Sequence, residues 1–188
     1  MEFELVKVQS IDEILPILNI ASQEKHKNRL NYNIDRIKKR WEHYICFHKL
    51  VDHELGGVIA ISGVYKYHDK LARVIDRTWV HPYYRSTFIH KNNNMIVRPV
   101  IDYFLPYQTE YCRERGMTSF VSIQYPSKTV VLERLIRETD CGYKLLPDFY
   151  FTCTHKKYNN KTCWHRIIST GKIDIMCKTS DEMNSFFE

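Results

Sequence analysis

Hydrophobic and polar positions alternate from the start of the chain. Phe3, Leu5 and Lys7 fall on one side and Glu4, Val6 and Val8 on the other, a period of two that predicts a strand over residues 2–9. Ser10 with Asp12 and Glu13 supplies a helix start with acid in its first turn, and Ile11, Ile14, Leu15, Leu18 and Ala21 keep helical spacing to about His26. Asn33 or Asp35 opens a second helix, with Ile34, Ile37, Trp41 and Tyr44 on one face. A short strand at 45–51, a turn at 52–57 and a strand at 58–67 rich in β-branched and aromatic residues form the next pair. A turn at 68–70 leads into a further strand at 71–80.

Past the polar stretch that follows, Ile96, Val97, Val100, Ile101, Phe104, Leu105, Gln108, Tyr111 and Cys112 recur at intervals of three and four. They predict a long amphipathic helix, with Arg98 and Pro99 near its start and Gly116 just past its end. Pro106 lies inside it and is expected to kink it. A strand at 118–124, a helix at 128–139 closed near Gly142, and two strands at 143–156 and 162–169 joined by the turn KKYNNK complete the pattern. No internal repeat or low-complexity linker divides the chain. One domain over 1–170 is expected, with 171–188 as a C-terminal extension.

Composition narrows the class. With 44% hydrophobic and 27% charged residues among 188, the chain can bury a sizeable core and keep a water-soluble surface. No apolar run approaches the ~18 residues that span a membrane, and the N-terminus reads as a strand, not a signal peptide. A cytoplasmic protein with no membrane partner is expected. The net charge of +6 suits a polyanion such as a nucleotide cofactor or nucleic acid, or is simply a lysine-rich surface. The basic residues are dispersed, and the densest cluster, RIKKR at 36–40, sits on a predicted helix as a solvated face.

The six cysteines form no CxxC pair, so reduced thiols are expected. Cys153 and His155 precede the KKYNNK turn, and Cys163 and His165 follow it. If 155 lies opposite 163, all four share a sheet face and offer two sulfurs and two imidazoles, acceptable zinc ligands. A two-residue turn at Asn159 and Asn160 shifts the register by one and separates them. Ordinary strand roles are the expectation, with no metal.

The element order β-α-α-β-β-β-α-β-α-β-β resembles the GNAT superfamily of N-acetyltransferases. TWVHPYYRS (78–86) is similar to that family's fourth strand and following turn, and YCRERG (111–116) to the end of the helix after its cofactor loop. SFVSIQYPSKTVVLERLIRETDCGY (119–143) resembles its fifth strand, fourth helix and closing Gly-aromatic pair. The resemblance spans roughly residues 1–168. It implies an α/β (α+β) fold with a central mixed, mostly antiparallel, twisted sheet flanked by helices on both faces. It also implies an acyl-CoA-dependent N-acyltransferase, with acetyl-CoA or another acyl-CoA as co-substrate. The acceptor would be an amine on a small molecule, a protein or a modified base, and the protein a monomer or homodimer.

In that family a Gln/Arg-x-x-Gly-x-Gly/Ala loop lets the backbone approach the pyrophosphate at a helix N-terminus, where unpaired N–H groups carry partial positive charge. The fourth and fifth strands splay, and the pantetheine arm enters between them. The resemblance therefore implies cofactor contacts from Trp79, Val80, His81, Arg85, Ser86, His90, Lys91, Asn92, Asn93, Asn94 and Ser127. Gln124 and Tyr125 close the fifth strand, and Tyr125 or Tyr150 is a candidate to protonate the departing thiolate. Asp76 shares one face with Thr78 and Val80 by strand parity. A carboxylate there orients an amine or acts as base through water, or else pairs with Arg73 or Arg77.

The loop departs from the family pattern. Arg85 matches its first position, but the glycine positions fall near Phe88 and His90, and no glycine occurs between Gly63 and Gly116. The interval from Arg85 to Gly116 is longer than the family's by about two to three helical turns, so an insertion is expected in or beside the loop. Asn92, Asn93 and Asn94 adopt left-handed angles more easily than most residues, and His90 and Lys91 add charge. The alternative is a GNAT-fold protein that has lost acyl-CoA use. Such a protein would bind a protein or, less favoured, a nucleic acid partner, or modify a nucleotide or DNA base.

Overall fold

The structure, a computed structural model, describes residues 3–24, 34–54, 56–85, 88–90, 95–124, 129–146, 149–152 and 162–173. Ten strands and four α-helices are assigned among them. The strands are β1 (Phe3–Lys7), β2 (Tyr44–Asp52), β3 (Gly57–His68), β4 (Leu71–Val80), β5 (Phe88–His90), β6 (Met95–Val97), β7 (Thr118–Gln124), β8 (Lys144–Leu145), β9 (Phe149–Thr152) and β10 (Thr162–Ser169). The helices are α1 (Leu15–Gln23), α2 (Ile34–Lys39), α3 (Leu105–Arg113) and α4 (Thr129–Glu138). Hydrogen bonds order the main sheet β1-β2-β3-β4-β7-β10-β8, with β9 also on β10. β4 and β7 pair in parallel, whereas β1–β2, β2–β3, β7–β10, β8–β10 and β9–β10 are antiparallel. This is the mixed, mostly antiparallel sheet that the resemblance implies.

The chain divides into two compact units, Met1–Lys66 with Val74–Gln108 and Tyr67–Arg73 with Thr109–Glu188. In the first, Ile14, Leu18 and Ala21 of the N-terminal helical segment and Ile37 of α2 pack with Phe47, Ile61 and Trp79. Leu50, Ala60, Tyr84, Val97 and Phe104 form a second cluster. Phe47 and Leu50, like Ile61 and Ala60, are an odd number of residues apart, so the clusters lie on opposite faces of β2 and β3. Each side chain buried as fully as Leu18, Phe47 or Phe104 contributes about 1.5–3 kcal/mol. In the second unit Leu71, Phe120 and Ile167 form the core. Tyr143 there gives its buried hydroxyl Thr109 at 2.8 Å and Ser119 at 3.0 Å as partners.

Several boundaries move for local reasons. The first predicted helix is split into a single 3-10 turn, Ile11–Glu13, and α1, because Pro16 restarts the helix within its first turn. The second ends at Lys39; a 3-10 turn, Trp41–His43, follows, and Tyr44 opens β2 instead of lying on a helix face. Met95–Val97 is the second strand of a hairpin with β5, not the start of the long helix. That hairpin is the insertion expected beside the loop.

The disturbance expected at Pro106 takes the form of a π-helix, Pro99–Phe104, that becomes α only at Leu105. Pro106 has no N–H for the carbonyl of Asp102 and its ring crowds that carbonyl; the wider turn ahead of it, with Leu105 N–H on Val100 O, accommodates both. The helix closes as predicted. Gly116 (φ 65°) donates to Arg113 O at 2.9 Å and Met117 N–H reaches Cys112 O at 3.0 Å, a left-handed cap that suits glycine. The strand predicted over 143–156 is described as two short pieces, β8 and β9. The C-terminal extension beyond 173 lies outside the described residues.

Candidate active site

The middle of β4 breaks the strand rule. Ile75 (φ 49°) and Arg77 (φ 48°) take left-handed angles, which cost a non-glycine residue steric strain and make a β-branched one an outlier. The break shifts side-chain parity. Ile75 packs with the cluster that holds Val80, five positions on, although strict alternation would put them on opposite faces. Asp76 correspondingly turns toward the other face, where Tyr44 donates its hydroxyl to Oδ2 at 2.7 Å. Tyr44 packs with Phe47 and Trp41, in the cluster that includes Trp79. The expectation that Asp76, Thr78 and Val80 share a face is therefore corrected: two left-handed residues act as a one-residue slip.

Side chains meet both backbone polar groups of Ile75 at the break. The N–H of Ile75 donates to Gln108 Oε1 at 2.8 Å, and its carbonyl accepts from Thr78 Oγ1 at 2.7 Å. Thr78 Oγ1 is 2.8 Å from Ser62 Oγ, which also lies 3.5 Å from Gln108 Oε1. Gln108 and Ser62 are fully buried, and Asp76 is only 6% exposed. Nε2 of Gln108 is a buried donor with no hydrogen-bond partner among the described residues. His48, opposite Ser62 in the β2–β3 register, is also buried, and burial followed by the charge of Lys7 pushes its imidazole down to about 4. Burial, then the charge and hydrogen bond of Asp76, push the Tyr44 phenol well above its ordinary value, so it stays a donor. Asp76 also lies 4.0 Å from Arg77 Nε, the ion pair weighed as the plain alternative; Arg73 instead donates to Ser122 O at 3.3 Å.

At the end of β4 the predicted cofactor residues are placed as follows. Trp79 is buried and donates Nε1–H to Glu24 at 2.9 Å. The carbonyl of Val80 accepts from Arg85 Nε at 2.6 Å, and Arg85 Nη2 closes onto the same Glu24. Trp79, Val80 and Arg85 are thus brought together around one carboxylate. His81 is exposed; its N–H donates to Ile59 O at 2.7 Å and its Nδ1 accepts from Tyr83 N–H. Tyr84 anchors the turn by a buried hydrogen bond to Asp52 at 2.8 Å. His90 ends β5, its side chain not described, and Ser86, Lys91, Asn92, Asn93 and Asn94 lie outside the described residues. At the start of the following helix the N–H of Arg98 donates to Asp102 Oδ2 at 2.9 Å, and its guanidinium reaches Oδ1 at 2.7 Å.

In the second unit Gln124 is the last residue of β7, opposite His165, and Tyr150 in β9 lies opposite Trp164. β10 thus runs between the two strands that carry them. Tyr125 and Ser127 lie outside the described residues. Cys163 lies opposite Phe151 and His165 opposite Phe149. The register that sets 155 opposite 163 does not form, because Phe151 occupies the place opposite 163. Cys153 and His155 are outside the described residues. Among the described residues no group of three His, Cys, Asp or Glu is placed to hold a metal ion, and no helix is long and apolar enough to cross a membrane.

Gln108 and Glu24 were not legible as candidate site residues, nor was Tyr44 as the partner of Asp76. The signal for Gln108 was present, a polar side chain in the apolar stripe of a long helix. Tyr44 was hidden by its place in a helical period, and Glu24 by lying in the last turn of one.

No protein-family model matches the chain, and no curated protein matches it. Solved structures do. Ard1 from Thermoplasma volcanium aligns at 12% identity over 92% of this chain and 100% of its own, with a TM-score of 0.57. A GNAT-family acetyltransferase from Elizabethkingia anophelis with acetyl-CoA bound aligns at 9% identity over 90% of this chain and 98% of its own, TM-score 0.56. A GNAT-superfamily phosphinothricin acetyltransferase from Sinorhizobium meliloti, in complex with acetyl-CoA, aligns at 14% identity over 90% and 88%, TM-score 0.55. At such identities the likeness gives the fold, which is that of the GNAT acetyltransferases.

Proposed function

We propose that this GNAT-fold chain is an acyl-CoA-dependent N-acyltransferase that moves an acyl group from acetyl-CoA or another acyl-CoA to a primary amine. The break in β4 carries the reading. Two non-glycine residues hold left-handed angles on either side of a buried carboxylate. Each such residue costs about 1–3 kcal/mol and persists only where its surroundings over-determine it. The residues beside the break fit an amine acceptor. Asp76 is a carboxylate that can take a proton, and the Tyr44 hydroxyl orients it.

When bound, acyl-CoA supplies the acyl group as an activated thioester. Asp76, oriented by the Tyr44 hydroxyl, takes the proton from the attacking amine, directly or through water. Trp79, Val80, His81 and Arg85, with Ser86, His90, Lys91, Asn92, Asn93, Asn94 and Ser127, hold the co-substrate. Tyr125 or Tyr150 returns a proton to the leaving thiolate, and Gln124 belongs to the same proposed set. Calorimetric titration with acetyl-CoA and with coenzyme A tests the reading. Saturable binding that is lost in Arg85→Glu supports it, and no heat of binding at millimolar ligand sinks it.

A second reading has its own observation. Both arginines that flank the loop are closed onto carboxylates, Arg85 onto Glu24 and Arg98 onto Asp102. In that reading the fold has lost acyl-CoA use and binds a protein or nucleic acid, or modifies a nucleotide or DNA base. Binding of DNA or RNA that weakens steeply with salt, without any for acetyl-CoA, would favour it.

A further inference from the structure

We propose that Gln108 is a positioning residue, the pin that holds the slip in β4 and so decides which face of the strand Asp76 serves. The assignment of a role to Asp76 rests on the reading above; the pin itself does not. Three observations carry it. Gln108 comes from α3, yet its Oε1 takes the N–H of Ile75 at 2.8 Å, the first of the two left-handed residues. The donor is a backbone N–H, so the oxygen must face it, and the orientation of the side-chain amide is fixed. The carbonyl of the same Ile75 is held at 2.7 Å by Thr78, which Ser62 supports at 2.8 Å. Both backbone polar groups of one strained residue are thereby satisfied by side chains.

The unpartnered Nε2 argues in the same direction. A fully buried donor without an acceptor is unfavourable, and the neighbouring buried positions of this helical segment, Phe104, Leu105 and Cys112, are filled by side chains that avoid it. A glutamine at this position is explained by its oxygen. Without that oxygen, the part-buried N–H of Ile75 loses its partner and is better satisfied by pairing within the sheet. It can pair there only if the left-handed angles relax and the slip is lost. Strand alternation counted back from Val80 would then carry Asp76 to the face of Val80, away from the Tyr44 hydroxyl, and Ile75 to the opposite face.

Gln108→Met removes the acceptor at nearly constant shape, and Gln108→Glu keeps it. In the Met variant, hydrogen exchange at the Ile75 amide should quicken by about tenfold or more while Ile61 and Trp79 keep their protection. The Asp76 carboxyl resonance should lose its coupling to Tyr44, seen as loss of its response to Tyr44→Phe. With a primary amine and acetyl-CoA, kcat should fall by about a hundredfold with little change in KM, as for a displaced catalytic group. The Glu variant should match the wild type at low pH, where the buried carboxyl is protonated. It should lose activity relative to wild type as pH rises, because ionising a buried carboxyl is costly. Wild-type exchange at Ile75 in the Met variant, with an unchanged Asp76 resonance, would overturn the pin. If the Met variant does not fold, the Glu variant decides: it keeps the acceptor, so an Ile75 amide that exchanges about tenfold faster than in wild type at low pH overturns the pin. If the wild type shows no acyl transfer at all, the function falls, while exchange and the Asp76 resonance still test the pin.

Discussion

Around Ile75 the backbone of β4 takes left-handed angles and is held by side chains from α3 and from β4 itself, which Ser62 of β3 supports. Further along, at Arg85 and Arg98, charged side chains close onto Glu24 and Asp102 near the surface. The first region is over-determined. Strain of about 1–3 kcal/mol per left-handed residue is kept by part-buried hydrogen bonds to Gln108 and Thr78. The second is exchangeable, since part-exposed ion pairs are worth only about 0–1 kcal/mol and a ligand anion can displace one carboxylate by another. An enzyme that must place a proton acceptor tightly, yet admit and release a charged co-substrate, would divide its site in this way.

The sharpest way to break that contrast is at Asp76. Asp76→Asn keeps a side-chain oxygen for Tyr44 but cannot take a proton. It should lower kcat/KM for a primary amine by about 10²–10⁴-fold with the fold intact. A loss smaller than about tenfold in steady-state rates would remove Asp76 from the chemistry. Gly63→Ala comes next, because Gly63 is where two rings close over β3. A Cβ there would lie 2.5 Å from Phe47 Cε2 and 2.8 Å from Tyr44 Cδ1. Overpacking of this kind costs about 1–3 kcal/mol, read as a lower Tm. It should also push Tyr44 off Asp76 and lower activity beyond the stability loss. A Tm within error of wild type would mean that both rings yield easily and that the over-determined region is softer than its contacts imply.

What the sequence disclosed divides along the same line. The element order was legible because apolar periodicity records which faces are buried, and Gly116 marks a helix end by local sterics; the sheet's mixed pairing was legible only through the resemblance that this order carries. The slip in β4 was not legible. ARVIDRTWV reads as an unbroken alternating strand, and the left-handed angles are imposed by Gln108 and Thr78, partners distant in sequence or hidden within the strand. The closure of Arg85 onto Glu24 was equally hidden, since an arginine at the end of a strand carries no mark of its partner. The long loop could be read as an insertion by its length, but its form, a short β5–β6 hairpin, depends on pairing that composition does not encode.

Asp102→Asn probes the exchangeable region and should have a smaller effect. The Asp102 carboxylate occupies the start of a helix, where it meets both the N–H and the guanidinium of Arg98. If the diphosphate of a co-substrate seats at that helix start, removing the competing charge should tighten coenzyme A by up to about fivefold, the scale of a helix-terminus interaction of roughly 0.3–1 kcal/mol. The isolated fold should lose stability by a similar amount. Unchanged affinity by calorimetry would place the diphosphate elsewhere and leave the Arg98 pair a helix cap only.

Glu13→Gln gives the reference against which the Arg85–Glu24 pair can be judged, and its effect should be the smallest of the four. Glu13 lies outside both regions. It accepts from Lys49 Nζ at 2.7 Å, from Gln9 N–H at 2.7 Å and from Ser10 N–H at 3.2 Å. These hydrogen bonds, that of Lys49 foremost, hold its carboxyl well down, from 4.5 to about 2. A carboxyl lowered on folding stabilises the protein above its unfolded value and ceases to do so as it is protonated in the folded state. The gap in Tm between wild type and Glu13→Gln should therefore be widest near pH 7, begin to close below about 4.5 and vanish near 2. A gap that stays constant across this range would assign the stabilisation to packing of the side chain. Salt should shrink the gap at pH 7 without moving the pH window, as expected of an exposed pair, whereas the effect of Gln108→Met should be indifferent to salt.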